Sequence, residues 1–144
     1  MKILFLSQVF PYPLDAGPKV RSYYVLRYLA EKHDVSLVSF VRGTDTEEAL
    51  AHVRSYCHSV HTVSMTRSTT KDLSFLAKSL VSRTPFLIAR DWSQAMVDCL
   101  DAVIREEGPF DFVHADQLWM APYALYVART LGAKSAVLDQ HNAT

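Results

Sequence analysis

The first forty residues leave few choices of fold. Lys2 to Val9 holds Ile3, Leu4, Phe5, Leu6 and Val9, followed by Phe10, with almost no charge. A short apolar run of this kind fits a strand covered on both faces, as in a parallel sheet. Pro11, Pro13, Gly17 and Pro18 then stop the strand and forbid an early helix. Pro18 suits the first helical position, which puts Gly17 at the N-cap. Ser22, Val25, Leu26, Leu29 and Ala30 recur at the spacing of one helical face. After a charged break at Glu31 to Asp34, the residues Val35, Leu37, Val38, Phe40 and Val41 predict a second buried strand. Strand, helix and strand in about 40 residues make a βαβ unit.

The remainder continues the alternation. Thr44 and Glu47 have the spacing of a capping box for a helix reaching about Tyr56. Ser59 to Met65 reads as a weaker strand. Ser93 is a suitable N-cap for a helix carrying Met96, Val97, Leu100, Val103 and Ile104, which Gly108-Pro109 ends. Phe110, Phe112 and Val113 predict a strand, with His114 to Gln117 at its carboxyl end. A helix through Tyr123 and Val127 stops at Gly132, and Ala136 to Leu138 form the last strand before Asp139-Gln140-His141-Asn142. The fold class is therefore α/β: a doubly wound, mainly parallel sheet flanked by helices. The 144 residues suit a single domain. Only Ala143 and Thr144 follow the last polar cluster, although a doubly wound sheet normally covers its strands with helices. A further domain is expected to follow.

Composition removes several classes of function. Lys plus Arg and Asp plus Glu both number 15, so there is no global attraction to nucleic acid. Cys57 and Cys99 are isolated, not a disulfide framework or a metal clip, which fits a cytoplasmic location. No apolar run is long enough to span a bilayer. Cys57, His58 and His61 are close in sequence, but they straddle a helix end and a strand start without an evident fourth ligand. Thr66 to Arg90 is basic, with Arg67, Lys71, Lys78, Arg83 and Arg90 against Asp72 alone. Leu73, Leu76, Ala77, Leu80 and Val81 share one face of a helix there. Such a helix can rest at the periphery of an anionic membrane through residues 67–90. An ordinary helix packed by its leucine face explains the same residues.

Function is to be sought at the carboxyl ends of the strands, where open parallel sheets bind ligands beside helix N-termini. The loop with Asp15, Ala16 and Gly17 lies there. Gly17 lets a ligand approach the backbone, and Lys19 and Arg21 add positive charge. A plain helix-initiating turn with two solvated cations accounts for the same residues. The G-x-G-x-x-G fingerprint of dinucleotide sites is absent, which also counts against a sugar-epimerase type of enzyme. Two later strand ends, with His114 and Asp116 and with Asp139 and His141, converge on the same rim. Histidine can donate to a sugar hydroxyl or a phosphate oxygen, and aspartate can accept from a hydroxyl.

Three segments carry a resemblance: KILFLSQVFPYPLDAGPKVRSYYVLRYLAEKHDVSLVSF at the start, FDFVHADQLWMAPYAL, and SAVLDQHNAT at the end. Together the chain resembles the N-terminal, Rossmann-like domain of a GT-B glycosyltransferase of the retaining family 4 type. The resemblance implies that this domain holds the sugar acceptor, while a C-terminal domain absent from this chain holds the nucleotide sugar. It also implies transfer with retention, no cofactor and usually no metal ion. The family's glycine-bearing loop corresponds to Asp15 to Pro18, where many members have two adjacent glycines and this chain has Ala16-Gly17. His141 corresponds to the histidine that reaches the transferred sugar or its phosphate. Asp116 occupies a position often held by histidine. The family's pair of glutamates eight positions apart belongs to the other domain, so the chain alone is expected to be inactive. An uncovered sheet face could then drive self-association. A non-catalytic α/β ligand- or protein-binding module is the alternative.

Overall fold

The computed structural model describes residues 1–65, 92–130 and 133–140. Among these, β1 (Lys2–Ser7), α1 (Gly17–Ala30), β2 (Asp34–Val41), α2 (Glu47–Arg54), β3 (Ser59–Ser64), α3 (Gln94–Glu107), β4 (Phe112–Asp116), α4 (Ala121–Thr130) and β5 (Ala136–Asp139) follow in order. A 3₁₀ turn, Leu118–Met120, precedes α4. The strands form one five-stranded sheet in the order β3-β2-β1-β4-β5, and every pairing is parallel. This is the doubly wound, Rossmann-like α/β arrangement expected from the sequence. The predicted helix within 66–91, its basic segment at 67–90, Gly132 and His141 lie outside the described residues.

β1 is central because its sequence is apolar on both faces. Ile3 and Phe5 enter the cluster under α1 and α2, with Leu26, Val35, Leu37, Ala49 and Val53. Leu4 and Leu6 enter the opposite cluster, with Met96, Leu100 and Val103 of α3 and Tyr123 and Val127 of α4. All four of these β1 residues are fully buried. Burying such side chains contributes roughly 1.5–3 kcal/mol each, so a polar residue at any of them would break the layer.

Several local boundaries differ from the sequence expectation. Ala16, not Gly17, is the N-cap of α1, so Pro18 is the second helical residue. Thr46, not Thr44, caps α2: its hydroxyl accepts from the Ala49 N–H at 3.2 Å. Asp45 instead closes a turn on the Arg42 N–H at 2.8 Å, which keeps Thr44 outside the helix. β4 runs to Asp116 and does not stop at Val113, because its ladder with β1 pairs Phe5 with His114 and Ser7 with Asp116. Gly108 ends α3 with its backbone so near the preceding turn that a Cβ there would sit 2.4 Å from the Ile104 carbonyl oxygen.

A polar network fastens the amino-terminal edge of the sheet. Glu107, at the end of α3, accepts from Ser36 at 2.5 Å and Ser59 at 2.8 Å, and its other oxygen lies 2.7 Å from His61 Nε2. Burial alone would raise the Glu107 carboxyl, but the bonds from Ser36, Ser59 and His61 outweigh it and hold the group below its ordinary value. A lowered folded-state value means stability that is present above the ordinary glutamate range and is lost as pH falls through that range and below it. Glu107→Ala should therefore cost about 1.5–3 kcal/mol at neutral pH, the range for hydrogen bonds to a charged group. In urea denaturation at a series of pH values, the gap to the parent protein should narrow below the ordinary carboxyl value of 4.5. A gap independent of pH would show that the charge on Glu107 contributes nothing.

Candidate functional site

The strand order reverses on either side of β1: chain progress runs outward through β2 and β3, then returns to β4 and β5. In such a fold the loops leaving the two strands on either side of the reversal part from one another, so the place to look for a ligand crevice is the carboxyl edge between β1 and β4. The first turns of α1 reach this edge: the helix packs over β1 and β2, and its Ser22 and Arg21 side chains extend to Asp116 and Asp139.

Asp116, the last residue of β4, is 1% exposed. Ser22 Oγ of α1 lies 2.5 Å from its Oδ2 and 2.9 Å from the Pro18 carbonyl, so one hydroxyl proton is shared between two acceptors. Ser7 Oγ, at the end of β1, lies 2.8 Å from the Val9 carbonyl and 3.2 Å from the same carboxylate oxygen. The carboxylate thus ties β1, β4 and the first turns of α1 together. His114, two residues earlier on the same face, is buried with its ring stacked on Phe5, centroids 4.5 Å apart and planes 12° apart. It sits within the strand and not at its end, as a consequence of the longer β4. Asp139 ends β5 as the register partner of Asp116. Arg21 Nη2 reaches Asp139 Oδ1 at 2.9 Å.

Of the residues expected from the sequence, Gly17, Arg21, His114, Asp116 and Asp139 meet at this edge. Lys19 does not join Arg21. Its ammonium lies 3.1 Å from Asp15 and 3.8 Å from Asp45, on the β2 side. There it borders a cleft of about 30 Å³, enough for a water-sized group, lined by Gln8, Phe10, Arg42, Thr44 and Asp45 among others. The glycine loop is thus a divider between two polar sites, with one cation on each side. At Gly17 a Cβ would meet nothing within 4 Å, so packing does not require glycine there. His141 lies outside the described residues.

Cys57, His58 and His61, close in sequence but expected to straddle two elements, do not form a cluster in the fold. Cys57 is half-buried against the core cluster under α1 and α2, where burial pushes its thiol up to about 12. His61 faces Glu107 instead. Among the described residues, His114, Asp116 and Asp139 are the group whose ligating atoms come together, all within 4.8 Å of one another. Tyr28 and Lys32 have the Tyr-x-x-x-Lys spacing of sugar-epimerase enzymes, but Tyr28 lies exposed on α1 and Lys32 beyond its end, where the ammonium donates to the Tyr28 hydroxyl at 2.6 Å. Among the described residues, no helix is long and apolar enough to cross a membrane.

Sequence reasoning passed over Ser7, Ser22 and Gln117. Ser22 was legible only as part of a helical face, and Ser7 only as an interruption in an apolar strand. Gln117, the residue after β4, has φ 74° and ψ 158°, a region that side chains other than glycine's rarely adopt. Its N–H donates to the Asp139 carbonyl at 2.9 Å, which holds the strained turn in place at the same edge. Gln117→Gly should relieve that strain and raise stability by about 1 kcal/mol, the strain cost less the flexibility glycine adds to the unfolded chain. An unchanged or lowered urea midpoint would contradict this. No protein-family model, curated protein or solved structure matches the chain.

Proposed function

We propose that this chain is the acceptor-side domain of a retaining glycosyltransferase of the GT-B, family 4 type. The full enzyme would transfer a sugar from a nucleotide sugar to a glycan, lipid or small-molecule acceptor. The observation that carries this reading is the reversal of strand order beside β1, where Ser22 and Arg21 of α1 meet the ends of β1, β4 and β5. In this reading the N–H groups at the start of α1 face the donor's phosphate, with Gly17 allowing close approach. Asp139 accepts hydrogen bonds from sugar hydroxyls and Arg21 orients it, while Asp116, buried beneath, holds the first turns of α1 in place. His141 supplies the contact to the transferred sugar that the family resemblance implies.

Transfer requires preorganised positive charge at the leaving diphosphate. Here Lys19 and Arg21 are each matched by carboxylates. The reading therefore assigns most of that charge to a donor-holding domain outside this chain, and the chain alone should not turn over labelled nucleotide sugars.

The unpacked space at Gly17 separates folding from binding. Gly17→Ala should leave the urea midpoint unchanged or slightly raised, because the added methyl meets no atom. It should weaken saturation-transfer NMR signals from uridine- and guanosine-diphosphate hexoses. Turnover by the chain alone would overturn the half-enzyme reading. Absence of saturation transfer from every nucleotide sugar and oligosaccharide tried would leave the non-catalytic module instead.

A further inference from the structure

We infer that His114, Asp116 and Asp139 form a binding site for a divalent first-row cation of the zinc class. This does not rest on the transferase reading and competes with it for Asp139.

The donor set comes first. One imidazole nitrogen and two carboxylate oxygens lie within 4.8 Å of one another. A tetrahedral ion bound at about 2.0–2.2 Å holds its ligand atoms roughly 3.3–3.6 Å apart, so the widest pair must close by about 1 Å, a side-chain rotation and not a strand movement. A mixed imidazole and carboxylate set suits zinc, manganese or iron better than calcium or magnesium.

The backbone fixes this spacing. His114 and Asp116 alternate on one face of β4, and Asp139 stands opposite Asp116 in the parallel ladder. All three positions are therefore set by strands and not by loop conformation. Outer contacts restrain the ligands in turn. Ser22 and Ser7 hold Asp116 Oδ2, and Phe5 fixes the plane of the His114 ring. Such partners orient metal ligands in known sites.

Charge gives an independent indication. Two carboxylates this close oppose one another unless a cation intervenes. The structure already brings one: the Arg21 guanidinium, 2.9 Å from Asp139 Oδ1. The Arg21 side chain is 56% exposed, so it can swing into solvent without disturbing the core. A divalent ion seated between the three ligands would take the place of the Arg21 guanidinium at Asp139. The ion and Arg21 therefore compete for Asp139.

Isothermal titration of the chain with zinc chloride tests this, with manganese chloride in parallel and cobalt absorption reporting the ligand set. One saturable equivalent is expected. His114→Gln and Asp139→Asn should each weaken it by about 10-fold or more, by the measure of altered metal-site partners. Arg21→Gln should tighten it several-fold by removing the competitor. Asp139 ends the edge strand β5, so its asparagine variant carries the test if the buried His114 variant fails to fold. Absence of saturable binding would overturn the site. So would binding unchanged in Asp139→Asn, or binding abolished only by replacing His58 or His61.

Discussion

β1 is hydrogen-bonded on both edges and covered on both faces, and this double enclosure places everything else. Ile3 to Leu6 have no exposed surface, and the strand pairs in parallel with β2 on one side and β4 on the other. Parallel neighbours require crossover helices, and a central strand requires those helices on both faces. The chain therefore covers one face with α1 and α2, then returns across the sheet to cover the other with α3 and α4. The reversal that this return creates falls beside β1, and the candidate site is its consequence. Site and core share one cause.

The two ends of the sheet divide the polar labour. At the amino edge, Glu107 satisfies Ser36, Ser59 and His61, joining α3 to β2 and β3. At the carboxyl edge, Asp116 joins β1, β4 and α1 through Ser7 and Ser22, while Asp139 and Arg21 stand closer to solvent. Both edges use a carboxylate with hydroxyl partners. They differ in what lies beyond: Glu107 is the last residue of α3, whereas Asp116 borders a strained turn at Gln117 and the start of α1.

The fold was legible wherever the signal was local. The apolar run of β1, the helical spacing from Ser22 to Ala30 and the β-branched run of β2 each record the environment of their own segment. The end of β4 was hidden because His114 and Asp116 are polar, and what makes them strand residues is a ladder to β1 more than a hundred positions away. Glu107 was invisible for the same reason: its partners come from β2 and β3. The divergence of Lys19 from Arg21 was readable in principle. Residues two apart on a helix point about 200° apart, so the two cations could not have served one ligand. The convergence of Gly17, Arg21, Asp116 and Asp139 follows from the rule for ligand positions in parallel sheets. The serines beneath them depend on side-chain geometry that no spacing encodes.

The central claim is that the carboxyl edge between β1 and β4 receives a ligand. The most direct measurement is a map of backbone amide shifts in the labelled chain during titration with a nucleotide sugar. The expected result is a set of changes concentrated at Gly17, Arg21, Ser22, Asp116 and Asp139. Changes confined to Ser36, Ser59, His61 and Glu107 at the opposite edge would contradict it.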